Sequence, residues 1–342
     1  MKRAEALDLL RSPDLLGTGM AADAVRRRLH PEGVVTYIID RNINYTNVCT
    51  EYCTFCAFYR PEGHPEAYVL PKEVIFEKIA ETIELGGTGV LMQGGLHPGL
   101  GIEWYEDLLR SIKQRFDIWL HCFSSPEILN IAQVSGLTVR DTIARLRDAG
   151  LDSIPGGGAE ILDDGVRRRI SRLKCTTEEW ALVHLEAHRL GMRTTATMMF
   201  GAGETLEERL NHLDVVRSIQ EETGGFTAFI PWTYQRENTA LGRSVKEEAT
   251  AAEYLKTLAV SRLYLESVDN VQASWVTQGL KTCQVALRFG ANDVGSTMIE
   301  ENVVASAGTH HTASAEELRR VIRAAGFVPK QRDTLYRTLY LG

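Results

Sequence analysis

At 342 residues, with 44% hydrophobic and 24% charged side chains, the chain can bury a large core as one big domain or two small ones, and it is too apolar for general disorder. A formal charge of −7, with no run of five like charges, offers no basic surface to a nucleic-acid backbone, so no nucleic-acid partner is expected. The opening MKRAEALDLLRSPDLL breaks its apolar residues with polar ones, unlike a signal peptide, and no later stretch is long enough to span a bilayer; a cytoplasmic protein without a membrane partner is expected.

Residues 1–33, including AADAVRRRLHP, read as an N-terminal helical cap. From there a short β-rich run followed by an amphipathic stretch recurs, the pattern of parallel β/α architecture. The eight runs are 34–46, 89–95, 117–124, 153–158, 193–201, 226–232, 270–275 and 285–293. Between the first two, Val74, Ile75, Ile79 and Ile83 recur at helical spacing before a glycine stop. Eight such units predict an α/β fold of the (β/α)8 TIM type over residues 34–310, with an open doubly wound sheet as the alternative. Gly, His, Asn, Asp and Glu gather at the C-terminal ends of the runs, where a barrel would ring them around one pocket. Residues 311–342 read as a C-terminal helix and tail packed on that barrel.

Six cysteines are too few for a disulfide scaffold in a chain of this size. Cys49, Cys53 and Cys56, spaced C-x3-C-x2-C just after the first run, fit joint metal ligation. An ordinary [4Fe–4S] carrier uses four cysteines. Three would leave one iron open to a substrate or cofactor, which implies chemistry rather than electron storage. The alternative is a non-enzymatic, zinc-stabilised binding protein, its site completed by His64 or a distant cysteine, although the second cysteine pair usual in zinc sites is missing. Cys122, Cys175 and Cys283 are scattered and read as inert thiols.

With Phe55 before the third cysteine, NYTNVCTEYCTFCAFYR resembles the motif of the radical S-adenosylmethionine (SAM) superfamily. That resemblance implies a radical SAM barrel holding a [4Fe–4S] cluster on Cys49, Cys53 and Cys56, with SAM on the open iron. It also implies cofactor contacts from Phe58 and from Gln93, Gly94 and Gly95, which stand where the superfamily has Gly-Gly-Glu. Further contacts fall to Ser124, to Glu160 and Arg168 of the fourth run and its helix, and to Met199, Gly201 and Glu204 of TMMFGAGE, a partial match to the motif near the adenine. Glu204 could equally cap the next helix.

A wider set of blocks, among them FCAFYR, LMQGGLHP, LDSIPGGGAEIL, TMMFG and GANDVGSTMIEENV, resembles the cyclic dehypoxanthinyl futalosine synthases of menaquinone biosynthesis across about residues 35–310. Several blocks are shared with the sister aminofutalosine synthases, which remain the alternative within the superfamily. The resemblance implies that a 5′-deoxyadenosyl radical takes hydrogen from ribose C4′ of dehypoxanthine futalosine. The carbon radical then closes on the aromatic ring, and loss of an electron and a proton completes an oxidative cyclisation. An electron donor such as flavodoxin or ferredoxin is implied. Asp293 and Glu301 are the catalytic candidates for handling the proton, with His310 or His311 behind them.

Overall fold

The computed structural model describes residues 1–309 and 311–339. Its strands are β1 (Val34–Ile38), β2 (Asn42–Ile43), β3 (Gly89–Met92), β4 (Trp119–Cys122), β5 (Ser153–Ile154), β6 (Arg193–Phe200), β7 (Phe226–Thr233), β8 (Asn270–Val271), β9 (Asp293–Ser296) and β10 (Val328–Gln331). Every strand pairing is parallel, in a seven-stranded sheet running β2 to β8 and a three-stranded sheet ordered β10-β1-β9.

Backbone hydrogen bonds join the two sheets into a ring. Ala273 N donates to Asp293 O at 2.8 Å and Asn292 N to Val271 O at 3.1 Å, linking β8 to β9. On the other side β1 runs through Ile39–Arg41 into β2, and Leu91 N of β3 donates to Arg41 O at 3.0 Å. With β1 and β2 as one interrupted strand, the expected (β/α)8 barrel is present. Helices cover its outside because the strands, buried on both faces, leave apolar surface only another layer can remove from water. Ile75, Ile79, Leu108, Ile112, Ile143 and Leu146 are all fully buried beside Ile43, Val90, Leu120 and Ile154. Helix starts are fixed locally: Thr176 with Glu179, Thr205 with Glu208 and Ser314 with Glu317 form reciprocal capping boxes.

Two boundaries differ from the sequence reading. The run 285–293 is mostly not strand: the helix Trp275–Ala286, kinked at Gly279, extends into it, and the eighth barrel strand begins only at Asp293. Cys283 and Ala286, three apart and fully buried, give that stretch a helical apolar face which the β-rich composition conceals. The tail also does more than pack on the outside. After the helix Ala315–Ala324, β10 pairs with β1 from Val34↔Val328 to Tyr37↔Gln331, and Gln331 Nε2 donates to Gly86 O at 2.8 Å. No helix among the described residues is long and apolar enough to cross a membrane.

Candidate active site

The C-terminal strand ends surround a cavity of about 300 Å³. Its wall includes Asp40 after β1, Gln93 after β3, His121 of β4, Glu160 after β5, Thr197 of β6, Trp232 of β7, Gln272 after β8 and Ser296 of β9. Arg332 and Tyr336 reach it from beyond β10.

The cysteine loop lies at the cavity mouth and is held through its backbone. Cys49 N donates to Arg60 O, Thr50 N to Leu96 O and Thr54 N to Ile170 O, at 3.1, 3.3 and 3.0 Å. Arg60 Nη1 donates to the carbonyls of Ala57, Phe58 and Tyr59. These bonds leave all three thiols free. The turn after β3 comes so close that a Cβ on Gly95 would stand 2.1 Å from Val48 O and 2.8 Å from Cys49 Cβ, so only glycine fits. Burial pushes the Cys49 and Cys53 thiols up, so positive charge is needed beside them to hold thiolates, as bound iron supplies. Among the described residues no three thiol, imidazole or carboxylate groups gather as ligands of a single ion. A cubane takes each thiolate at a separate iron, so the donor set fits a cluster without converging on one point.

Around this loop the predicted cofactor residues separate into two groups. Gln93 lines the cavity, its amide over Gly157, where a Cβ would lie 2.4 Å from Gln93 Nε2. Gly94 N donates to Glu127 Oε1 at 2.9 Å, and so does Tyr45 Oη at 2.7 Å. Ser124 donates from N and Oγ to Glu127 Oε2, which makes Glu127 the buried tie between the ends of β3 and β4. Glu160 is buried at φ 40°, a strained conformation for a residue with a side chain. Its Oε1 accepts from Lys174 Nζ at 3.1 Å, while Oε2 has no donor among the described residues. A buried acceptor without a donor is costly unless a ligand supplies one. Met199 shares a smaller adjoining cavity with Phe55, Cys56 and Tyr234.

Three predicted contacts are elsewhere. Arg168 is exposed on the helix Asp164–Ile170; the inward arginine is Arg167, whose guanidinium donates to the carbonyls of Gly158, Ala159 and Cys175. Glu204 is committed within its own loop, accepting from Gly201 N and Ala202 N at 2.9 Å each and pairing with Arg209 at 2.6 Å. It shapes the loop beyond Gly201, whose φ is 82°, and has no oxygen left for a cofactor. Phe58 is half-buried and lines neither cavity.

The catalytic candidates are also redistributed. Asp293 is fully buried behind the cavity wall with four donors: Arg332 Nε and Nη2 at 2.6 and 2.9 Å, Thr36 Oγ1 at 2.6 Å and Gly295 N at 2.7 Å. Both its oxygens are taken, which corrects the expectation of a free base there. Glu301 lines the cavity and burial raises its carboxyl, but Oε2 accepts from Asn42 at 2.9 Å and Oε1 from Val304 N at 2.7 Å. His311 is exposed, and His310 lies outside the described residues. Sequence reasoning missed Asp40, legible at the end of the first run, and Arg332, which no signal marked because it lies 39 residues past Asp293 in a stretch read as tail.

The model of the Radical SAM superfamily matches residues 43–216, which hold the cysteine loop and the turns that frame it. The chain belongs to the radical SAM superfamily. Its cofactors are those of the family, a [4Fe–4S] cluster and S-adenosylmethionine. Residues 223–341 match the CofH/MqnC C-terminal region. The chain is 50% identical to the cyclic dehypoxanthine futalosine synthase of Halalkalibacterium halodurans over 97% of its own length and 90% of that protein. It is 46% identical to the enzyme of the same name from Streptomyces coelicolor, covering 98% of this chain and 84% of that one. It is also 46% identical to the 5-amino-6-(D-ribitylamino)uracil–L-tyrosine 4-hydroxyphenyl transferase of Methanothermobacter thermautotrophicus, over 95% and 90% of the two chains. Among solved structures, the barrel is similar to methylornithine synthase (TM-score 0.72, 17% identity, 96% and 94% covered). It is similar too to the hydrogenase maturase HydG of Carboxydothermus hydrogenoformans (TM-score 0.75, 16% identity, 98% and 77% covered). At that identity the likeness concerns the fold.

Proposed function

We propose that this chain cyclises dehypoxanthine futalosine to its spirocyclic product, a step of menaquinone biosynthesis. The observation that carries the reading is 50% identity, across 97% of the chain, to a cyclic dehypoxanthine futalosine synthase. Bound together, the cluster and S-adenosylmethionine supply a 5′-deoxyadenosyl radical able to take hydrogen from unactivated carbon. The chain's part is to hold and orient. Cys49, Cys53 and Cys56 carry the cluster, and the carbonyls of the Gln93–Gly95 turn, braced by Glu127 and Ser124, face the methionyl ammonium. Glu160 Oε2, free of a protein donor, accepts from ribose hydroxyls, and Met199 packs at the adenine. The cavity keeps water from the radical and holds ribose C4′ near the ring carbon it attacks. The electron donor is a flavodoxin or ferredoxin, and the setting is the cytoplasm, without nucleic-acid or membrane partners.

A second reading follows from the archaeal relative at 46% identity, which is named for joining tyrosine's hydroxyphenyl group to a ribitylaminouracil. One experiment separates the two. The protein is reconstituted anaerobically with iron and sulfide, reduced with S-adenosylmethionine, and given dehypoxanthine futalosine or tyrosine with the aminouracil. 5′-Deoxyadenosine with a spirocycle is the expected result. Its formation only with tyrosine and the aminouracil would favour the transferase, and its absence from a fully loaded cluster under all conditions would sink the radical reading.

A further inference from the structure

The cyclisation proposed above sheds one ring proton, and its acceptor must face the cavity with an oxygen to spare. Asp293 is behind the wall with four donors, and Glu301 has both oxygens bonded. The free oxygen of Glu160 belongs to a carboxylate tied by Lys174 beside the cysteine loop. Asp40 differs from all three. It stands where the backbone breaks between β1 and β2, on the cavity wall, and is joined by Ser296 Oγ of β9, which donates to Oδ1. Its Oδ2 accepts no hydrogen bond among the described residues.

We propose that Asp40 is the proton acceptor of the cyclisation, receiving on Oδ2 the hydrogen of the ring carbon that has bonded to C4′. The inference rests on the function proposed above. The new C–C bond leaves that carbon tetrahedral in a ring with one unpaired electron. Its C–H bond then breaks: the proton goes to Asp40, and the bonding pair stays in the ring. The surplus electron passes to a one-electron acceptor, the iron–sulfur cluster oxidised when S-adenosylmethionine was cleaved. The ring regains its sextet.

The surroundings suit the task. Burial pushes the Asp40 carboxyl up to about 6, with Asp293 of β9 adding to the rise and Arg332 beyond β10 opposing it; Tyr336 is the other titratable group facing it, and Glu301 shares the wall. Asp40 is therefore ionised at neutral pH yet more basic than an exposed carboxylate, as a general base working near neutrality should be. Ser296 is a positioning residue, fixing Oδ1.

The test uses substrate deuterated at C4′ with the reconstituted holoenzyme, and follows 5′-deoxyadenosine, its deuterium and the cyclised product. Asp40→Asn is expected to keep moving deuterium into 5′-deoxyadenosine while product per 5′-deoxyadenosine falls by about a hundredfold. Freeze-quenched samples should show the ring-delocalised radical by electron paramagnetic resonance. In the wild type the same ratio should fall on the acid side of an apparent pKa near 6, an inflection absent from the variant. Ser296→Ala, which leaves the carboxylate in place but unanchored, should lose coupling in the same direction and serves if Asp40→Asn does not fold. A wild-type ratio in folded Asp40→Asn, or in Ser296→Ala where only that variant folds, overturns the proposal, as does uncoupling by Glu301→Gln while Asp40→Asn stays coupled. No deuterium in 5′-deoxyadenosine from the wild type overturns the substrate, and the role of Asp40 with it.

Discussion

A carboxyl raised by burial costs stability wherever it must ionise, so Asp40→Asn should make the protein more stable while disabling it. The folded carboxyl sits at about 6 against an ordinary 3.8, and burial is the dominant cause. Because the folded state holds the proton more tightly, the favourable linkage is complete below 3.8 and is lost as pH rises through 6. Above that the penalty is constant at about 3 kcal/mol, two pKa shifts of ~1.4 kcal/mol each. At pH 5 only about 1.6 kcal/mol of it has developed. Asparagine carries no such penalty, and its side-chain oxygen can still accept from Ser296 Oγ. The stability gap between Asp40→Asn and wild type, from urea unfolding with the m-value checked for constancy, should therefore widen by about 1.4 kcal/mol from pH 5 to pH 8. Any constant change from altered packing cancels in that comparison. A gap that is flat or narrows with rising pH would falsify the reasoning, because it would mean that the carboxylate is not desolvated in the folded state.

The Asp293–Arg332 pair, with both side chains at or below 5% exposure, should behave as a buried ion pair: Arg332→Met strands the carboxylate and costs about 3–5 kcal/mol in urea unfolding, and Asp293→Asn in the same chain restores part of it. Gly95→Ala should leave the circular dichroism of the barrel intact but sharply lower the iron bound on reconstitution, since the new methyl displaces the Val48 carbonyl beside Cys49. Cys53→Ala should abolish S-adenosylmethionine cleavage while Cys175→Ala retains it; equal loss from both would mean that the ligands are misassigned. Arg168→Ala, on an exposed helix face, should change stability by under about 0.5 kcal/mol. Arg167→Ala strips donors from three carbonyls and should cost several times more by the same measurement.

The cysteine spacing, the glycine turns and the alternation of β-rich runs with amphipathic helices are local patterns. They were enough to predict the barrel, the cluster and the end of the barrel on which the cavity lies. Local pattern misled where one residue type serves two purposes. GAGE looked like a cofactor motif, yet Glu204 uses its oxygens on its own loop and Arg209. Of three consecutive arginines, helical phase turned Arg167 rather than Arg168 inward. The run 285–293 had strand composition, but its buried face was helical.

What only the tertiary structure decided is the partnering of the charges inside the barrel. Sequence could name Asp293 and Glu301 as carboxyl groups near strand ends, but whether an oxygen is free depends on donors distant in the chain. Arg332 arrives on a strand that pairs with β1 nearly 300 residues from its own position in sequence, neutralises Asp293, and leaves Asp40 as the less committed group. A carboxylate's basicity is set by desolvation and by neighbouring charge, and both are properties of the closed ring rather than of any segment within it.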